Sequence, residues 1–503
     1  MNQLRSELKQ LILSGQSLTP EQLDSRLDQL LPHSDPFDNI LILSDSYKVS
    51  HWVQYPPNTQ FVYSYFESRG GKFPHVLFFG LQYIVKRYLE GVVVTETKIK
   101  QAEEYFQAHF GTLKNFNRAG WEYIVKVHGG RLPLSIHAVP EGSIVPTHNV
   151  LLTCVNTDPV CFWLTNFVET LLVQVWYPCT VSTNSHAQKI LIKEWMEKTG
   201  SFDDQSLVFK LHDFGFRGVS SVESSAIGGL AHLVNFRGTD TMSALMCGSK
   251  YYGEPAAGFS IPASEHSTIT SWGKEHELDA FRNMLLQYPE GLVACVSDSW
   301  NVFQAAENFW ADDLRDLVMN RNGRLVVRPD SGDPPTVVVK VLELLAGSPE
   351  KGFGPFVTLT STGHKLLPPQ IRVIQGDAVD YEMIGNIYSA MDAAGWAAEN
   401  VGFGSGGALL QKMNRDTLKF AFKCSSVTVD GEERDVYKDP ITDPGKKSKK
   451  GRLALIRDDE GNWSTVKQSE LPTGAIDHLV EVFRDGRILV DYTLSDIRSR
   501  SSR

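Results

Sequence analysis

Apolar and polar positions follow three rhythms along the chain, and each predicts a different kind of structure. In the first 36 residues the spacing is helical: Leu4, Leu8 and Leu11 share one face, while Leu23, Leu27, Leu30 and Leu31 make a second stripe. Thr19 as N-cap, Pro20 in the first turn and Gln22 after them open the second helix, and Pro32 and Pro36 end it. Residues 1–36 therefore read as a helical extension with a packing or subunit-contact role. From 37 to 180, strand-like runs (Ile40–Leu43, Phe61–Phe66, Leu132–Ala138, Val150–Val155) alternate with helical ones (Leu81–Leu89, Glu96–Phe110), which predicts an α+β domain. The most apolar stretch, Val160–Tyr177, contains Asn166, Glu169 and Gln174 and reads as a buried helix, not a membrane span.

Between 181 and 424 short apolar runs recur, each ended by a polar or glycine-rich stop and then a helical stretch. They are Leu207–Leu211, Leu233–Phe236, Phe259–Ile261, Leu292–Val296, Leu325–Val327, Ile371–Ile374 and Val401–Phe403. Such strand-then-helix units predict a parallel sheet buried on both faces. Seven of them favour a closed or nearly closed α/β barrel over an open doubly wound sheet. The strand C-termini of a barrel meet at one mouth, so Arg217, Asp240, His266, Asp298, Arg328, Asp330 and Asp377 are expected to form one ring. Residues 425–503 return to antiparallel patterning, with Asp430-Gly431 and Asp485-Gly486 as hairpin turns. This C-terminal region is expected to pack back on the N-terminal domain and complete the α+β part.

A chain of 503 residues has room for about three domains. Its formal net charge of −10 argues against a nucleic-acid or anionic-membrane partner. Six scattered cysteines with no CxxC pattern read as packed thiols in a reducing compartment. No targeting segment is visible, so a cytoplasmic enzyme is the expected class.

Several stops have chemistry to offer, each beside a plainer reading. Gly404-Ser405-Gly406-Gly407 follows a strand and opens a helix, so its backbone N–H groups can face an anion. A dinucleotide site wants an acidic residue ~20 positions further on; that region holds Arg415 and Lys423, which suit a phosphate better. The alternative is a tight turn with no ligand. Arg328 and Asp330 on one loop can grip a phosphate and a ribose, or simply pair, with Asp333 capping the next helix. His266, with Glu265 and Asp298 to orient it, can serve as base or as nucleophile toward phosphorus, or be a structural cap. Phe214 is core or a stacking platform, with Arg217 holding an anion beside it. The lysine-rich run 446–452 is a solvated loop or a lid over a diphosphate.

Longer strings carry a resemblance. Ser44-Asp45-Ser46-Tyr47-Lys48-Val49, Tyr55-Pro56-Pro57-Asn58-Thr59, LHDFGFRGVSS (211–221), NFRGTDT (235–241), SEHSTIT (264–270), RPDSGDP, VIQGD, FGSGGALLQK and KDPITDPGKKSKKGR resemble the nicotinamide phosphoribosyltransferase family, within the type II phosphoribosyltransferases. The likeness runs from 38 to near 495 and leaves the N-terminal extension outside it.

The resemblance implies that the α/β barrel is irregular, and a pentosyltransferase joining nicotinamide to 5-phosphoribosyl 1-diphosphate in NAD salvage, on a homodimer with shared active sites. Phe214 and the other subunit's residue at position Tyr47 then sandwich the pyridine ring, and Asp240 accepts from the carboxamide. Arg217, His266 and Arg328 hold the diphosphate, completed by Arg69, Lys438 and Lys446 across the interface. Asp330, Gly376 and Asp377 take the ribose, and Gly406, Gly407, Arg415 and Lys423 the 5′-phosphate. His266, Asp298, Arg328 and Asp330 make the catalytic group, with His266 phosphorylated by ATP as a facultative co-substrate. Mg²⁺ comes with the diphosphate, and no protein metal site is implied. Ala421 replaces a serine of the animal relatives near the 5′-phosphate, and the segment between Arg69 and Leu77 is shorter than theirs. The rival readings are a phosphoribosyltransferase for nicotinic or quinolinic acid and a non-catalytic binding protein on the same fold.

Overall fold

The computed structural model describes residues 37–442 and 447–502. The helices expected over 1–36, and Lys446, lie outside the described residues. The first layer begins with β1 (Thr59–Ser68), β2 (Leu134–Ala138) and β3 (Val150–Asn156), antiparallel in the order β1-β3-β2. The aromatic and β-branched residues of β1 bury most of its length. Helix Glu96–Phe110 forms where its pattern predicts, opened by the Thr95 side chain and closed by Gly111 at φ 67°.

Two expectations in this half are corrected. Ile40–Ile42 is a 3₁₀ turn, not a strand, because the Asn39 side chain accepts from the Leu41 N–H at 3.1 Å. Val160–Tyr177 is a chain of short helical turns leading into the helix Trp176–Lys198. Its polar interruptions have a use: Lys48 Nζ donates to Asn166 at 2.6 Å and to Glu169 at 3.1 Å.

The second layer is parallel: β4 (Leu211–Asp213), β5 (Gly238–Thr239), β6 (Glu290–Val296), β7 (Asn322–Arg328), β8 (Ile371–Gln375) and β9 (Val401–Ser405). Their spatial order is β5-β4-β9-β8-β7-β6. The sheet curls, and its two edges are linked by the irregular segment 259–263, in which Phe259 bridges to Gly238 and Ala263 to Ala294, both in the parallel sense. That segment takes the place of the third predicted strand. Leu233–Phe236 follows the helix Val222–His232, and Leu207 closes a helical turn, so β5 and β4 start later than the pattern predicts. Strands of two or three residues are too short to show a period of two, and leucines at the neighbouring helix ends imitate one.

Along the long barrel strands the side chains alternate. Val293, Cys295, Leu325, Val327 and Val373 point outward into the core beneath the helices. Ala294, Val326 and Ile374 point inward and form a separate small cluster with Phe214 and Ile261. These inward residues keep 6–8% exposure where most of the outward ones have none, so the barrel interior is reachable from its mouth.

The chain then rejoins the first layer. β10 (Phe420–Val429) pairs with β1, and β11 (Glu432–Asp435) with β10. β12 (Val480–Arg484) pairs with β2, and β13 (Arg487–Ile488) with β12. Both Asp-Gly turns are left-handed at both residues (53° and 79°, 49° and 78°), as two-residue hairpins of type I′ require. That geometry puts the return strand of the first hairpin at Glu432–Asp435, directly after the turn. Among the described residues no helix is long and apolar enough to cross a membrane.

Candidate active site

Parallel pairing brings the C-terminal ends of β4 to β9 to one rim, and the predicted ring residues other than His266 lie at or within a few residues of those ends; His266 follows the bridging segment 259–263. Phe214 follows β4, Asp240 follows β5, Asp298 comes two residues after β6 and Asp330 two after β7, whose last residue is Arg328. Gly376 and Asp377 follow β8, and Gly406 and Gly407 follow β9.

Close packing ties several of them together. A Cβ on Gly404 would lie 1.8 Å from the Phe214 ring, so that ring packs against bare backbone. A Cβ on Gly376 would meet Asp330 Oδ1 at 3.1 Å, Phe214 at 3.6 Å and Arg328 Cδ at 3.7 Å. The ring, the Arg328 side chain and the Asp330 carboxylate therefore meet around the β8 turn. Arg328 donates to Asp330 at 3.0 Å, while its Nε is buried with no partner. Gly218, next to the exposed Arg217, lies against Gly407.

Asp240 takes a short hydrogen bond from the Ser260 hydroxyl, and its N–H donates to the Asp213 carbonyl at 3.0 Å. His266 Nε2 meets Asp298 Oδ1 at 2.9 Å; the Asp298 side chain is 5% exposed and the imidazole 47%. Glu265 does not orient His266. It caps the helix His266–Thr270 in a reciprocal box with Thr268. Behind Asp298 sits Glu277, buried and with Oε1 unpartnered. Burial, then the charge of Asp298, pushes its carboxyl up to about 7.

A second group lies on the first layer. Burial lowers the Lys423 ammonium; Glu169 opposes that shift, and the nearby charges of Arg69, Lys438 and Arg415 add to it. Three further cations thus stand within electrostatic reach of Lys423, and the buried Nη2 of Arg69 has no hydrogen-bond partner. This cluster is built to hold an anion. It joins Arg415 and Lys423 to Arg69 and Lys438, residues that the resemblance divides between two subunits. Tyr47 lies on the same layer, 59% exposed, and its ring packs edge-on against His51 at 4.7 Å, not against Phe214.

The lysine-rich run is pinned over its described part. Ser448 is buried, Lys449 pairs with Glu67, and Arg452 with Glu433 at 2.9 Å, which does not fit a freely moving lid. Sequence reasoning missed Ser260, Glu277 and Asp213. Only Asp213, directly ahead of Phe214 at a strand end, had a signal that could have found it.

This mouth and fold are those of a phosphoribosyltransferase, and the chain belongs to the nicotinate phosphoribosyltransferase family, which matches residues 209–484. Residues 39–136 match the nicotinamide phosphoribosyltransferase N-terminal domain. Among curated relatives, the nicotinamide phosphoribosyltransferase of Xanthomonas campestris pv. campestris is 49% identical over 92% of this chain and 98% of its own length. The nicotinamide phosphoribosyltransferase of Acinetobacter baylyi is 33% identical over 92% and 97%. Solved structures share the fold at low identity. Nicotinate-nucleotide pyrophosphorylase from Pyrococcus furiosus aligns with a TM-score of 0.58 at 15% identity, covering 94% of this chain and 97% of that one. Human nicotinic acid phosphoribosyltransferase aligns with a TM-score of 0.53 at 16% identity, covering 91% of each.

Proposed function

We propose that the chain transfers a phosphoribosyl group from 5-phosphoribosyl 1-diphosphate to nicotinamide, giving nicotinamide mononucleotide and diphosphate. The observation that carries this reading is the carboxylate of Asp240 at the strand end beside the one that delivers Phe214. A carboxylate accepts from an amide NH₂ and repels the carboxylate of nicotinic acid, so the site selects the neutral ring. A site for the acid needs a cation at that position. The names of the relatives support the same choice.

In the transfer, Phe214, backed by Gly404, holds the pyridine ring by one face while Asp330, Gly376 and Asp377 take the ribose. The pyridine nitrogen attacks C1, the C1–O bond to diphosphate breaks, and positive charge builds on the ribose. Arg217, Arg328 and His266 stabilise the departing anion, and orientation lowers the barrier further. Mg²⁺ enters as the counter-ion of the diphosphate. On this reading the ion is held by substrate oxygens and water, not by a protein site.

ATP coupling follows from the histidine. Asp298 engages Nε2, which leaves Nδ1 to attack the γ-phosphorus of ATP, with ADP leaving. A homodimer supplies the second cationic group and the second aromatic face from Tyr47. Six free cysteines, five of them buried, accord with a reducing cytoplasm. The test is a product assay with 5-phosphoribosyl 1-diphosphate and either nicotinamide or nicotinate, with and without ATP. Nicotinamide turnover should exceed nicotinate turnover at least tenfold, and Asp240→Asn should cost about 10–100-fold in kcat/KM for nicotinamide. Equal turnover of both bases sinks the reading.

A further inference from the structure

The residue just ahead of Phe214 is wholly buried and ionisable, and nothing in the transfer uses it. Asp213 ends β4 with 0% exposure. Its Oδ1 accepts from the Gly215 N–H at 2.7 Å, and its Oδ2 from the Thr239 hydroxyl at 3.3 Å. Its backbone carbonyl accepts from the Asp240 N–H at 3.0 Å. One residue therefore clasps the turn carrying Phe214, the strand ending at Thr239, and Asp240 itself. The packing leaves no slack: a Cβ on Gly215 would come within 3.0 Å of Oδ1, and one on Gly229 within 3.0 Å of Oδ2.

We infer that Asp213 is a positioning residue for the nicotinamide end of the site, its carboxylate setting the stacking ring and the amide-reading carboxylate at a fixed separation. The inference rests on the nicotinamide reading above. Being ionised matters, because a carboxylate accepts from both donors more strongly than a neutral carboxyl does. Burial pushes this group up to about 6, against the pull of the Gly215 N–H, and the charge of Asp240 adds to the rise. The clasp therefore loosens as pH falls through 6. The titratable groups around it are His212 on the same strand, Asp240 just after β5, and Tyr177 from the helix Trp176–Lys198, whose phenol is raised by burial and then by the Asp213 charge. The helix Val222–His232 presents Gly229 to it. His212 is lowered by burial, with Asp240 opposing.

The test measures steady-state kinetics of the full chain from pH 5.5 to 7.5, varying nicotinamide and 5-phosphoribosyl 1-diphosphate separately. In the wild type KM for nicotinamide should rise several-fold toward pH 5.5. Asp213→Asn should raise that KM about 5–20-fold at pH 7.5, remove its pH dependence, and leave kcat and the KM for 5-phosphoribosyl 1-diphosphate within about twofold. Thr239→Val, which removes one donor and keeps the charge, should give a smaller rise that still varies with pH. A wild-type nicotinamide KM that is flat across this range overturns the inference, whether or not Asp213→Asn folds. So does an Asp213→Asn variant that raises both KM values alike. A wild type that turns over no nicotinamide defeats the function reading instead.

Discussion

Gly404 has no room for a methyl group, because the Phe214 ring occupies the place of its Cβ at 1.8 Å. At Gly376 the nearest atom to a built Cβ is the carboxylate Oδ1 of Asp330 at 3.1 Å, which a small side-chain shift relieves. The two glycines border the same ring, so their alanine variants should separate steric from chemical effects. Gly404→Ala is expected to raise KM for nicotinamide at least tenfold and Gly376→Ala less than threefold, read from initial rates. Near-equal values would mean that the ring is not held against β9. The histidine gives a second residue-scale expectation: His266→Ala should lose all ATP stimulation and all ³²P labelling from γ-labelled ATP while some basal transfer remains. Glu277 gives a third. Its carboxyl sits at about 7 in the folded chain, above its ordinary value. The folded state therefore keeps a proton that the unfolded chain has lost between pH 4.5 and 7. The stability linked to Glu277 is complete below the lower of these values and disappears as pH rises through the upper one. Glu277→Gln should match the wild type near pH 4.5 and exceed it by roughly 1–2 kcal/mol at pH 8, after allowance for solvent screening. Denaturant melts at the two pH values measure it, and a pH-independent difference would refute the burial argument.

Among the elements, the two Asp-Gly hairpins share a turn but differ in surroundings. A Cβ on Gly431 meets nothing within 4 Å, whereas one on Gly486 would lie 2.7 Å from the Arg131 side chain. Gly431→Ala should therefore cost about 1 kcal/mol for the left-handed backbone alone. Gly486→Ala should cost clearly more and also weaken the pairing of β12 on β2; thermal melts that rank the two the other way would contradict this. These turns were legible in the sequence because Asp-Gly between apolar runs has one cheap solution. The long barrel strands were legible for a related reason, since burial on both faces demands unbroken apolar runs such as Leu325–Val327. The short strands Leu211–Asp213 and Gly238–Thr239 were not, because they owe their form to neighbours and carry too few side chains for a period. The ring of stops survived these errors of placement, because in a parallel barrel the end of each strand, not its length, sets where its polar residues go. Interactions between elements were invisible to sequence. Ser260 on Asp240, the Thr239 clasp on Asp213 and the gathering of Arg69 with Lys423 join residues from separate segments.

At the scale of the whole molecule, the mouth has an apolar rim left exposed among the described residues. Phe216 and Val222 follow β4, Met242 and Met246 follow β5, and Val222, Met242 and Met246 are each 67% exposed or more. Apolar groups left in water beside an active site mark a surface that another molecule covers. Tyr47, also exposed, lies on the other layer beside Glu169, whose charge reaches Lys423 and through it the group with Arg69 and Lys438. In the homodimer proposed above, the rim of one copy would meet the Tyr47 face of the next across a two-fold axis. Complementation tests this directly. Phe214→Ala and Tyr47→Ala should each inactivate a homodimer, since each removes one face of the ring sandwich. Unfolding and refolding the two variants together in equal amounts places them in the same dimer about half the time, and each mixed dimer rebuilds one intact site of its two. Activity should return to about a quarter of the wild-type value. A mixture no more active than its components would show that each chain works with its own Tyr47 or with none.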